Sequence, residues 1–295
     1  MNRKSFLQSL GLLTLTTTSM KVNALHTLSQ SLRPTARMPV LFFGHGSPMN
    51  ALENNVFTQK WNDIGAQIPK PQAVLCISAH WETKGTFVTA MPNPKTIHDF
   101  GGFPEALFQV QYPAPGNPAL ASEVKHLIKK TEVGLNEDWG LDHGTWSVVK
   151  HLYPQADIPV LQMSLDYSQA PAYHYALAKE LAELRDKGVL IMGSGNIVHN
   201  LRLIAWDQMH TPGYGFDWAL EANEKMKKMM LAGDHTALIN YKTLGKAFEL
   251  AIPSPDHYLP LLYILALQKA NEKISIFNDQ AMMGSLTMTS LQIGD

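Results

Sequence analysis

Thiols are nearly absent from this sequence: Cys76 is the single cysteine among 295 residues. One thiol excludes an intramolecular disulfide framework and any cysteine-built zinc cluster. Charge is also sparse. Charged residues make up 17 % of the chain, and 24 Lys and Arg against 25 Asp and Glu leave a net charge of 24 − 25 = −1. Nucleic acid and anionic membrane surfaces need a clustered positive footprint, so neither is expected as the main partner. No segment reaches the roughly eighteen uninterrupted apolar residues of a membrane span. The sequence has no His-Glu-x-x-His helix, no Gly-x-x-x-x-Gly-Lys-Ser/Thr phosphate loop, no Gly-x-Gly-x-x-Gly fingerprint and no Gly-x-Ser-x-Gly elbow. Repeats and low-complexity linkers are missing as well, and with 45 % hydrophobic residues the chain can bury one full core.

What is abundant is histidine, with twelve in the chain. With almost no thiol available, a metal site here has to be built from imidazole and carboxylate. The first thirty residues stand apart. Arg3-Lys4-Ser5-Phe6-Leu7, an apolar stretch to Leu15, and small residues at Val22-Asn23-Ala24 read as an export signal resembling a twin-arginine variant. Export to the periplasm is therefore expected; the alternative is a disordered extension or mis-called start on a cytoplasmic protein, with the fold spanning residues 38–294.

From Met38 onward, short apolar strands alternate with helical patterns. Strands are expected at Pro39–Phe43, Ala73–Ser78, Thr86–Ala90, Pro159–Ser164 and Val189–Met192. Helices are expected at Val56–Gln67, Leu120–Thr131, Pro171–Lys187, Asp217–Leu231 and Tyr258–Lys269. Continuous apolar strands separated by helices predict a single α/β domain, its mostly parallel central sheet covered on both faces.

In such sheets ligands bind beyond the carboxyl ends of the strands. His45 follows the first strand in Gly44-His45-Gly46-Ser47-Pro48, His80 follows the second in Ser78-Ala79-His80-Trp81, and His199 follows the strand ending near Met192. Each of these alone fits a loop histidine bonded to a carbonyl; three delivered to one sheet edge point to a common site. His257 sits in Pro253-Ser254-Pro255-Asp256-His257-Tyr258 at the start of an apolar helix. His143 occupies a loop before a helix start, where backbone N–H groups face an anion. His98 lies in a turn-rich loop suited to closing over a site. His26, His126, His151, His174, His210 and His235 lie in helical or surface-like contexts and are read as ordinary histidines. Cys76, in mid-strand, is expected to be buried and inert.

Several segments together resemble one family. They are Gly44-His45-Gly46-Ser47-Pro48-Met49, Ser78-Ala79-His80-Trp81, Thr96-Ile97-His98-Asp99-Phe100-Gly101-Gly102-Phe103-Pro104, Tyr112-Pro113-Ala114-Pro115-Gly116, Asp142-His143-Gly144, Ser194-Gly195-Asn196-Ile197-Val198-His199-Asn200 and Asp256-His257-Tyr258-Leu259-Pro260. In order, and over nearly all of Met38 to Gly294, they resemble the DOPA-type extradiol dioxygenases of the class III, protocatechuate 4,5-dioxygenase catalytic-subunit-like group.

The resemblance implies a metal-dependent enzyme that opens a catechol ring with O₂, DOPA cleaved at its 4,5 bond to a muconate semialdehyde being the leading example. It also implies His45, His80 and His257 as metal ligands, with histidine at 257 where protocatechuate-type relatives carry glutamate. His199 corresponds to the general base and to a candidate fourth ligand, and His143 to a residue that helps bind substrate and oxygen. One divalent ion is implied, Fe(II) for oxygenase chemistry, with Zn(II) also accepted by an all-imidazole set. Trp81, His98, Phe100, Phe103 and Tyr258 are candidates for the substrate's apolar surroundings, with core packing the equal alternative for the aromatic rings. A zinc-dependent hydrolase using the same histidines, or a binding protein without catalysis, are the competing readings. The sequence leaves the oligomeric state open.

Overall fold

A computed structural model of the chain describes residues 35–295, so the expected export segment and His26 lie outside the described residues. In chain order the elements are β1 (Val40–Gly44), α1 (Val56–Gln67), β2 (Ala73–Thr83), β3 (Thr86–Thr89), α2 (Glu105–Phe108), α3 (Pro118–Leu127) and β4 (Val133–Asn136). They continue with α4 (His143–Leu152), β5 (Val160–Asp166), α5 (Pro171–Ala178), β6 (Val189–Gly195), α6 (Asp217–Ala232), α7 (His235–Ile239), α8 (Lys246–Ala251) and α9 (Leu259–Ala266). Strands β7 (Ile274–Phe277), β8 (Ala281–Met282), β9 (Leu286–Thr287) and β10 (Ser290–Ile293) complete the fold.

Eight strands form one sheet in the order β4-β3-β5-β2-β6-β1-β10-β7, and β8 and β9 form a small ribbon. The central ladders β5–β2, β2–β6 and β6–β1 are parallel, with antiparallel pairing of β10 to β1 and β7 and of β3 to β5 toward the flanks. This is the mostly parallel α/β sheet expected from the uninterrupted apolar strands. Along those strands alternate residues go to opposite faces. Leu41, Phe43, Cys76, Leu190 and Met192 join Trp61 of α1 and Trp146 of α4 on one side. Their neighbours Phe42, Leu75 and Ile191 are fully buried on the other, where α9 packs on β6, β1 and β2. Cys76 is buried, and burial pushes its thiol pKa up, so it is inert as expected.

Two expected elements differ in detail. The helix expected over Pro171–Lys187 is α-helical only to Ala178, and Lys179–Lys187 winds as a 3-10 helix closed by Gly188 in the left-handed conformation. Ala178, Leu181 and Leu184, all buried, repeat every third residue, the spacing that stacks side chains in 3-10 winding. The second difference is β2, which runs to Thr83 and so contains His80; the ladder to β5 shifts register between Ile77 and Glu82, and this irregularity brackets the histidine. Among the described residues no helix is long and apolar enough to cross a membrane.

Candidate metal centre and active site

The carboxyl ends of β1, β2 and β6 lie side by side in the sheet and set the positions of the polar residues that follow them. His45 leaves β1 and is 1 % exposed; Asn50 Nδ2 donates to its carbonyl at 2.9 Å, and its own N–H donates to Gly195 at 3.0 Å. His257 arrives from the segment before α9, which crosses the end of β6 so closely that a Cβ on Gly195 would lie 2.1 Å from the His257 carbonyl oxygen. That carbonyl accepts from Asn196 N at 3.0 Å. His143 is the first residue of α4, capped by Asp142, whose carboxylate accepts from Thr145 N at 3.0 Å. It is therefore helical, not in the loop before the helix as expected. Next to it Gly144 permits close approach to β2, since a Cβ there would meet Ser78 Oγ at 2.7 Å and His80 Cδ2 at 2.9 Å.

These elements gather five imidazoles. The His45 and His80 Nε2 atoms are 3.1 Å apart, and ring centroids are 5.3 Å apart for His45 and His257 and 4.9 Å for His80 and His257. His143 lies 3.9 Å from His80, ring to ring, and His199 stacks on His257 at 3.5 Å with planes 7° apart. One ligand nitrogen from each of His45, His80 and His257 falls within 4.8 Å of the other two. Two further groupings, His80 with Asp99 and His143, and His199 with Asp256 and His257, share residues with this cluster and complete the metal-competent sets among the described residues.

The partners behind the rings assign their protons. Ser194 Oγ donates its only proton to the Gly144 carbonyl, so at 2.9 Å from His45 Nδ1 it accepts that ring's N–H. The Asp256 carboxylate likewise accepts from His257 Nδ1. The Asp99 carboxylate accepts from His143 Nδ1 at 2.9 Å and stands 3.5 Å from His80 Nδ1. With its Nδ1 protonated, His45 carries a free lone pair on Nε2, and His80 Nε2 lies 3.1 Å from it. That donor set fits a divalent cation such as Fe(II) or Zn(II), which all-nitrogen imidazole sites hold readily.

The electrostatics agree. Burial first, and then the neighbouring histidines, push the pKa values of His45 and His80 well below the usual imidazole value. His199 is lowered to about 3 by burial and by His257, with Asp256 opposing. Asp256 and Asp99 are held low against their burial, chiefly by hydrogen bonds from His257 and His143 respectively. Asp142, fully buried and near Asp99, is raised, although Gln162 and Ser78 donate to it. His45, His80 and His199 are thus neutral near neutral pH, with anionic carboxylates beside the cluster.

The structure sorts the substrate candidates. Phe100 lies 5.6 Å from His143, ring to ring, and packs on Phe103 at 5.4 Å, at the edge of the cluster. His98 donates from Nε2 to the Val110 carbonyl at 3.0 Å and fastens its loop. Trp81 is buried and stacked on Trp139 at 5.6 Å. Tyr258 is 1 % exposed, and its hydroxyl donates to the Leu238 carbonyl at 2.9 Å, which places it in the packing behind His257 and not in a substrate wall. His174, read from sequence as surface-like, is fully buried against the Tyr263 hydroxyl at 3.0 Å. Sequence reading passed over Asp99, Ser194 and Asp256. The only signals for them were the acid adjoining His257 and the anion expected at the α4 N-terminus, which Asp99 supplies by accepting from His143 N at 2.8 Å.

Comparison with known proteins follows the same line. Residues 40–285 match the family model described as the catalytic LigB subunit of aromatic ring-opening dioxygenase. A protein of Escherichia coli (strain K12) named 4,5-DOPA dioxygenase extradiol is 47 % identical over 264 residues, covering 88 % of this chain and 96 % of that protein. One of the same name from Mirabilis jalapa is 34 % identical over 243 residues, covering 80 % of this chain and 89 % of its own. The crystal structure of an uncharacterized protein from Escherichia coli K12 superposes with a TM-score of 0.76 at 43 % identity, covering 88 % of this chain and all of that one.

Proposed function

The chain belongs to the LigB family of aromatic ring-opening dioxygenases, and from that premise we propose that it opens the ring of an o-diphenol beside its hydroxyls with O₂, 4,5-cleavage of DOPA to a muconate semialdehyde being the leading reaction. The observation that carries the proposal is the convergence of His45, His80 and His257, with His199 stacked beside the third. A divalent metal would be held by His45, His80 and His257, grouped at one sheet edge. Iron(II), if bound there, would supply the electron relay between catechol and O₂ that zinc, which has no redox chemistry, would not.

The chain's own residues do the rest. His199, kept unprotonated by burial and its neighbours, accepts the proton of a catechol hydroxyl at a ring nitrogen and returns it during ring opening; the nearby Asp256 carboxylate favours the protonated ring meanwhile. His143, clasped by Asp99 and lying against His80, orients substrate and oxygen. Phe100 and Phe103 shield this edge from water and offer the aromatic ring a stacking surface. Export through the Arg3-Lys4 segment belongs to the same reading and is checked by cell fractionation.

The decisive experiment loads the protein anaerobically with Fe(II) and follows oxygen consumption and a yellow ring-fission product across a catechol panel that includes DOPA. Stoichiometric uptake with product formation is expected. Hydrolytic turnover by the zinc-loaded protein, with no oxygen uptake by the iron-loaded one, would replace the proposal with the zinc hydrolase.

A further inference from the structure

Asp99 has a grip that no metal-ligand role requires. Its Oδ1 accepts from the His143 backbone N–H at 2.8 Å and its Oδ2 from His143 Nδ1 at 2.9 Å, while the same Oδ2 stands 3.5 Å from His80 Nδ1. The backbone donor is fixed at the start of a ten-residue helix, so the two-point contact sets both the place of the carboxylate and the rotation of the His143 ring. We propose that Asp99 is a positioning residue for ring opening: it locks His143 as the Nδ1–H tautomer and steers His80 the same way. The Nε2 atoms of both rings then keep their lone pairs. The next residue, Phe100, is seated against His143 by the same grip.

A simple staple between loop and helix would produce the same contacts, but the loop is already fastened without Asp99. Ile97 N donates to Leu141 at 2.7 Å, Leu141 N to Lys95 at 2.8 Å, Trp146 Nε1 to Ile97 at 2.7 Å, and His98 to Val110 at 3.0 Å. Asp99 therefore contributes something these bonds do not, a carboxylate that accepts twice from one histidine.

The test is Asp99→Asn. The amide oxygen of the variant can serve only one of the two donors. The backbone N–H cannot change, so the amide nitrogen is turned toward His143 Nδ1 and, being a donor, forces the proton to Nε2. Histidine-selective ¹⁵N NMR of the metal-free protein should show His143 protonated at Nδ1 in the wild type and at Nε2 in Asp99→Asn. The inference rests on the proposed dioxygenase reading only for its kinetic arm. There, kcat should fall roughly 10- to 100-fold with KM held within about threefold, and the same substitution placed on His143→Ala should change kcat less than about twofold. An unchanged His143 tautomer, or full additivity of the two substitutions, overturns the assignment. If Asp99→Asn does not fold, the wild-type spectrum decides alone, because a wild-type His143 protonated at Nε2 refutes the lock. A wild-type protein that opens no catechol ring removes the dioxygenase reading and leaves the tautomer result standing by itself.

Discussion

The seating of His257 on β6 gives a prediction whose size comes from the coordinates. Gly195 has no left-handed backbone angle that would demand glycine, so Gly195→Ala is purely a question of space. The added methyl would sit 2.1 Å from the His257 carbonyl oxygen, and ordinary contact of roughly 3.5 Å requires the two segments to part by about 1 Å or more. Overpacking of this kind costs about 1 to 3 kcal/mol. The displaced carbonyl also holds the 3.0 Å bond from Asn196 N, whose loss adds about 1 kcal/mol. The expected destabilisation is therefore about 2 to 4 kcal/mol in urea unfolding followed by tryptophan fluorescence. Since His257 moves with its carbonyl while His45 and His80 stay, zinc affinity in a chelator competition should drop by roughly tenfold or more. A variant within about 0.5 kcal/mol of the wild type and with unaltered zinc affinity would refute the claim that β6 fixes this ligand.

Three other outcomes follow from single residues. Ser194→Ala removes the acceptor for His45 Nδ1–H, and zinc affinity should fall roughly 10- to 100-fold with little change in the fold, read by the same competition. His199→Gln keeps a side chain of similar reach; metal and catechol binding should survive while turnover drops by roughly 100-fold or more in the oxygen electrode, and unchanged turnover would remove His199 as the base. His174 is lowered to about 4 by burial, with Asp166 opposing, so between pH 6.5 and 4 the unfolded chain binds the proton that the folded one refuses. Its contribution is complete above pH 6.5 and is lost on acidification, by up to about 3 kcal/mol at pH 4; urea unfolding against pH should show a shallower acid slope for His174→Gln, and parallel slopes would contradict the assignment.

The parts of the site visible in the sequence are those whose position follows from strand order. His45 and His80 adjoin apolar strands and His199 lies just beyond one, so a parallel sheet carries them to one edge before any contact is known. What the sequence hid depends on side chains meeting across the fold. Ser194 and Gly144 are fifty residues apart, yet the proton on Ser194 decides the tautomer of His45. Asp99 lies beside His98 in one turn-rich loop, and histidine drew the attention there although its ring bonds to Val110 and the carboxylate does the gripping. His174 was misplaced for a different reason: Ala172, Tyr173, Tyr175, Ala176 and Leu177 make its helix apolar on nearly every side, which signals burial and outweighs the polarity of one imidazole.

The hidden residues also explain how an all-imidazole set can hold a doubly charged ion in a fold with so little charge. Three neutral ligands leave a divalent cation uncompensated in its first layer, and burying that charge unpaired would be costly. Here the compensation stands one bond further out. Asp256 behind His257 and Asp99 behind His80 and His143 are both held in their anionic form, so two negative charges face two positive ones through the imidazole rings. Asp142, the third carboxylate nearby, is pushed the other way by burial and by Asp99 and does not add to the count. With the acids placed behind the rings, no carboxylate need occupy the ligand side of the centre. A cation held by the three imidazoles would then be balanced from behind the rings by Asp256 and Asp99, and a dianionic ligand on its open side would be favoured by that cation's own charge.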